Sequence, residues 1–139
     1  MEQSETDEAI AIGWIDWAKR TNPETGDLRE RADKNRARAA DDDWASMRLI
    51  HIGFDDPGRA LRIAIDICHR SDDEWVLCLV GCGPFEDALV GMGRLALDIL
   101  QIGAAKNDDI WYALEHTWQN LMPDDIWLEL QRLLGREQS

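Results

Sequence analysis

An all-α fold of about eight short helices, stacked as antiparallel hairpins, is expected from three features of the sequence. These are a recurring acidic start signal, apolar residues at helical spacing, and short connections. The start signal is a double aspartate followed directly, or one residue later, by tryptophan. It occurs at Asp42-Asp43-Trp44, Asp72-Asp73-Glu74-Trp75, Asp108-Asp109-Ile110-Trp111 and Asp124-Asp125-Ile126-Trp127. Carboxylates at a cap or in a first turn accept from backbone N–H groups that lack helical partners, and they offset the positive end of the helix dipole. A tryptophan placed just inside such a start is expected to anchor the helix to a core. A HEAT-like or solenoid-like stack and a compact orthogonal bundle both satisfy this pattern. The tryptophan spacings of 31, 36 and 16 residues are too irregular for a true repeat family.

The first helix is predicted from about Thr6 to Lys19, capped by Ser4 or Thr6. Ile10, Trp14 and Trp17 recur at i, i+4 and i+7 and form its apolar stripe. At about 20–41 the character changes to a polar, basic loop or weak helix. It holds Asn22-Pro23, Thr25-Gly26 and the basic residues Arg29, Arg31, Lys34, Arg36 and Arg38. Asp43 opens a helix to about Gly53, in which Trp44, Met47, His51 and Phe54 share a face. Asp56-Pro57 sets aspartate at the cap and proline at the first helical position of a strongly apolar helix to about His69. Ser71 and Glu74 have capping-box spacing before the run from Trp75 to Val80. Gly81 and Gly83 are read as ending that helix, and Gly83-Pro84 as starting another at Phe85. Gly91 and Gly93 interrupt it. Helices from about Arg94 to Ala105, Asp109 to Asn120 and Asp124 to Leu134 complete the count, with Gly135 as terminator.

The 139 residues suit one acidic helical domain, 1–139, because 45% are apolar and seven are tryptophan. With 28 acidic residues against 15 basic, the net charge of −13 disfavours direct contact with nucleic-acid phosphates or an anionic membrane surface. No apolar run approaches the roughly 20 residues that span a bilayer, and the N-terminus lacks the basic and apolar regions of a signal segment. A cytoplasmic protein that touches neither membrane nor nucleic acid is the expectation. Cys68, Cys78 and Cys82 are an odd set in apolar helical sequence and are read as reduced, buried thiols. A metal site built from Cys78, Cys82, His51 and His69 is the weaker alternative, so neither metal nor cofactor is expected.

Together with Trp14, the segment Asp55-Asp56-Pro57-Gly58-Arg59-Ala60-Leu61 and Trp118, the motif Gly83-Pro84-Phe85-Glu86-Asp87-Ala88-Leu89 resembles an uncharacterised family of small bacterial proteins. The resemblance spans roughly residues 7 to 130, and the glycine-proline motif is its most specific part. It implies an all-α fold and brings no established activity. Ala88, where leucine is commoner, and the Gly91-Met92-Gly93 turn depart from the family pattern.

Within that motif Glu86 and Asp87 are the carboxylates to watch. Their main expected role is at a helix start after Gly83 and Pro84, or in a salt bridge to Arg59 or Arg94. A hydrolase would have to join them to His51, His69 or His116, and no metal-binding or nucleophile motif supports that. Charge distribution is more telling. From Ser71 to Gln131 there are twelve acidic and two basic residues, a local net of −10. If helix starts gather at one end, Asp72, Asp73, Asp108, Asp109, Asp124 and Asp125 form a negative rim. That rim is either a solvated surface or a docking face for a basic protein partner, with Trp111 or Trp127 as anchors. The expected function is therefore an acidic protein-binding domain, of inhibitor or immunity type. The rivals are a structural module, monomer or homodimer, that self-associates through a tryptophan face, and the hydrolase.

Overall fold

A computed structural model describes residues 6–22 and 43–135. The polar segment expected at about 20–41 falls, from residue 23 onward, outside the described residues. Seven helices make up the described chain: α1 Asp7–Arg20, α2 Trp44–Asp55, α3 Pro57–Arg70, α4 Glu74–Met92, α5 Arg94–Ala104, α6 Asp108–Leu114 and α7 Asp124–Leu133. The all-α expectation holds, with one helix fewer than eight among these residues.

The difference lies in α4. Gly81 does not end a helix, because the segment Gly81–Phe85 is a π-turn that carries the chain straight on. Proline has no N–H to donate, and its ring crowds the carbonyl four residues back; the wider turn around Pro84 relieves both. Gly81 serves packing instead: a Cβ there would overlap the Ala113 carbonyl, so its absence lets α4 and α6 meet backbone to backbone. The real break comes at Gly93, whose φ of 59° and ψ of −127° exclude a side chain. By length and composition α4, with 19 residues and a mean hydropathy of 1.4, could cross a bilayer. Here its apolar residues Val76, Leu77, Val80, Phe85 and Leu89 are core.

The acidic start signal marks where the helices begin, but not every expected cap forms: Asp43 precedes α2 without a side-chain cap hydrogen bond, and Pro123 stands at the cap position of α7. Thr6 caps α1 and Asp56 caps α3, accepting from Ala9 N at 3.0 Å and Arg59 N at 3.1 Å. At α4 the cap is Asp73, accepting from Val76 N at 3.0 Å, rather than a Ser71–Glu74 box. Asn107 caps α6, so Asp108 and Asp109 occupy its first turn, as Asp124 and Asp125 do in α7. Helix α6 is also shorter than expected. It ends at Leu114, and Asn120 beyond it takes a positive φ of 41°.

Helix α4 is central: it packs against α1, α2, α3, α5 and α6, whereas α7 rests on α5. Helices α1, α2 and α3 pack on one another at one side. Such contacts exceed the neighbour-to-neighbour stacking of a solenoid and describe a compact bundle around one helix. Two ion pairs tie α1 to α3, Arg59 Nε to Asp7 Oδ1 at 2.8 Å and Arg70 Nη2 to Glu8 Oε2 at 3.3 Å. On α2 the buried residues are Ala45, Leu49 and Ile52. The stripe of Trp44, Met47, His51 and Phe54 therefore faces outward, and Phe54 is 82% exposed. Tryptophan anchoring holds elsewhere: Trp111 and Trp127 lie against the core, and the Trp75 indole N–H donates to Thr21 Oγ1 at 3.1 Å.

Candidate functional site

Two concavities lie on either side of the central helix. The first, of about 390 Å³, forms where the start of α4 meets α6. The two acidic helix starts bring Asp72 and Glu74 opposite Asp108 and Asp109, and Glu115 joins them from the end of α6. Leu77, Trp111 and Tyr112 complete the lining. Three of the six aspartates of the expected rim, Asp72, Asp108 and Asp109, thus come together. Asp73 is beside them, but its carboxylate is committed to capping α4. Asp124 and Asp125 line no part of this concavity, and Asp124 Oδ1 accepts from Gln119 Nε2 at 2.6 Å. Trp127 is likewise elsewhere, packed against the core.

Sequence reasoning missed Glu74, Glu115 and Tyr112. A usable signal was there, since Glu115 follows Trp111 by four residues and so shares its helical face. The chemistry of the concavity is that of a negative, aromatic-lined recess. Burial pushes the Tyr112 phenol up, and neighbouring Cys78 and the charges of Glu74 and Glu115 push the same way. Cys78 is raised too, by burial first and then, against a hydrogen bond with Tyr112, by Glu74 and Asp73.

The second concavity, of about 550 Å³, opens between α1, α2, α3 and the π-turn of α4. Its walls are largely apolar: Trp14 and Trp17 from α1, Leu49 and Phe54 from α2, Leu79 and Val90 from α4. The two tryptophan rings meet edge to face, 5.4 Å apart. Glu86 and Asp87 lie on the same wall. Glu86 is not at a helix start, because α4 runs through it, and it pairs with neither Arg59 nor Arg94. The residue is 9% exposed, and its carboxylate accepts from Trp118 N at 3.1 Å on one oxygen and from Asn120 Nδ2 at 2.7 Å on the other. A side chain on the central helix thereby pins the turn after α6, and asparagine tolerates the left-handed backbone needed there. Asp87 is exposed, but partial burial of its carboxyl raises it above the usual range, and the adjacent Glu86 charge adds to that.

The histidines do not reach these carboxylates, and none lines that cavity. His69 Nδ1 accepts from Asn107 Nδ2 at 3.0 Å, and His116 Nδ1 donates to the Tyr112 carbonyl at 2.9 Å while its ring lies 4.7 Å from that tyrosine. His51 is exposed on α2. Among the described residues no group of three histidine, cysteine, aspartate or glutamate side chains has the geometry to hold a metal ion. The cysteines correct a second expectation, for only Cys68 is buried while Cys78 is half-buried and Cys82 exposed.

No curated protein and no solved structure matches the chain. The matching family model is that of a family of unknown function, DUF6869, and it covers residues 30–137, from before α2 to beyond α7. The chain belongs to that family.

Proposed function

We propose that this domain is an acidic protein-binding module, of inhibitor or immunity type, that docks on a basic protein surface. The observation that carries the reading is the recess between α4 and α6. Asp72, Glu74, Asp108 and Asp109 line it beside Trp111 and Tyr112, and none of the described residues that line it is basic. Carboxylates grouped in a concave site give strong charge-assisted hydrogen bonds to arginine or lysine, and aromatic faces add cation–π attraction. Charge of one sign in a cleft also speeds encounter with an oppositely charged partner.

The test begins with affinity capture from lysate at low and high salt and mass spectrometry of the retained proteins. One basic partner, lost at high salt, is expected. Association kinetics with that partner then examine the recess directly. Replacing Asp72 and Asp108 by lysine is expected to slow association about tenfold at low ionic strength, with the dissociation rate changed less. Both carboxylates are exposed and neither caps a helix with its side chain, so the variant keeps the fold. On-rates that ignore both the substitutions and the salt concentration would remove the steering role.

A second reading, self-association, has one observation in its favour. The outward stripe of Trp44, Met47, Ile50 and Phe54 on α2 is apolar and exposed. Light scattering across protein concentration separates it from a monomeric binder.

A further inference from the structure

The cavity beside the π-turn has a composition that the acidic recess does not explain. Its volume, about 550 Å³, is within the range of roughly 300–1,000 Å³ typical of small-molecule sites. Its walls are mostly apolar, yet two adjacent carboxylates, Glu86 and Asp87, are built into one of them, and no basic side chain among the described residues lines it. Placing carboxylate charge against apolar surface is costly unless a cation compensates. Asp87 is itself exposed, yet partial burial and the adjacent Glu86 charge still raise its carboxyl.

The arrangement is also held in place. Glu86 is nine-tenths buried, and its two oxygens are fixed by Trp118 N and Asn120 Nδ2. Each oxygen retains a lone pair for a further donor. The Asp87 carboxylate makes no hydrogen bond among the described residues. An ammonium group, with three donors and one positive charge, complements the negative charge on this wall, whereas the apolar remainder of the cavity asks for hydrocarbon.

We propose that this cavity binds a small organic cation, a primary ammonium on an alkyl or aryl body, with its nitrogen at Glu86 and Asp87 and its body against Trp14, Leu49 and Phe54. The site is separate from the recess between α4 and α6, and either can fail without the other.

Titration of the isotope-labelled protein with 2-phenylethylammonium and hexylammonium, followed by amide chemical shifts, tests the assignment. The matched neutral probes are 2-phenylethanol and 1-hexanol. At least one ammonium probe is expected to bind about tenfold more tightly than its alcohol, shifting amides in 79–91 and 118–121. Glu86→Gln with Asp87→Asn should bring the two affinities within about twofold, because the shape is kept and only the charge is lost. Glutamine still offers an acceptor to Trp118 N, and the Asn120 amide can rotate to complement it. Should that double variant unfold, Asp87→Asn alone, at a side chain with no hydrogen bond to lose, is expected to reduce the ammonium preference at least about threefold. Gly91→Leu adds bulk at a lining position where a Cβ meets nothing within 4 Å, and is expected to weaken binding of both probe types. Equal affinity for amine and alcohol, absence of ammonium binding up to about 5 mM, or shifts confined to the Trp111–Tyr112 recess would each overturn the proposal.

Discussion

Glu86 illustrates how one side chain can belong to both stability and recognition. Its oxygens hold the turn at Trp118 and Asn120, which keeps Trp118 outside, 65% exposed, and the end of α6 against the central helix. The same residue lines the apolar cavity. At Cys68 the environment acts in a single direction. Burial, helped by the charge of Asp109, pushes its thiol up to about 12, so the thiolate needed for reaction is scarce at neutral pH. Iodoacetamide at pH 8 is therefore expected to label exposed Cys82 first, slowed by the burial and Glu86 charge that raise its thiol, and to reach Cys68 only in denaturant. Peptide mass mapping over time reads the order. Labelling of Cys68 at the rate of Cys82 would mean that α3 opens readily from the core.

Helix α4 is the element on which the architecture turns. Its first half packs on α6 and closes the acidic recess, and its second half lines the apolar cavity, so the π-turn at Gly81–Phe85 lies between the two. Gly81 lets the backbone of α4 approach Ala113. Gly81→Ala is expected to destabilise the fold by about 3 kcal/mol, the upper part of the overpacking range, since the obstacle is backbone and cannot swing aside. Thermal unfolding should fall by about 10 °C. An unchanged midpoint would show that α4 and α6 separate without cost. Helix α2 is the counterexample to periodicity. Two faces of this helix are apolar, and Ala45, Leu49 and Ile52 are the ones buried. Small Ala45 and Gly13 allow α1 and α2 to close up, with the Trp44 ring lying over Gly13. No count of hydrophobic positions within α2 could have chosen between its faces, because the choice depends on the shape of α1.

Among the described residues, Arg59 and Arg70 are paired with α1 carboxylates, while the acidic starts of α4 and α6 converge on one recess. With a net charge of −13, self-repulsion is expected to outweigh the exposed ion pairs, which contribute little each. Raising salt from about 20 to about 200 mM, where screening length falls below the width of the acidic face, should raise the unfolding temperature. A fall would assign more weight to the pairs between α1 and α3. Much of this was legible without coordinates. Helical class, the start of nearly every described helix and the acidic character of the C-terminal half all follow from local rules, because capping, dipole and helical spacing act within a few residues, whereas the helix start expected at Glu86 and Asp87 does not exist. Tertiary structure alone decided which aspartates meet, why Gly81 continues a helix instead of ending it, which face of α2 is inside, and that Glu86 binds a turn more than thirty residues away. Each of those depends on groups distant in sequence meeting in space, and the pattern of a single segment holds no record of its neighbours.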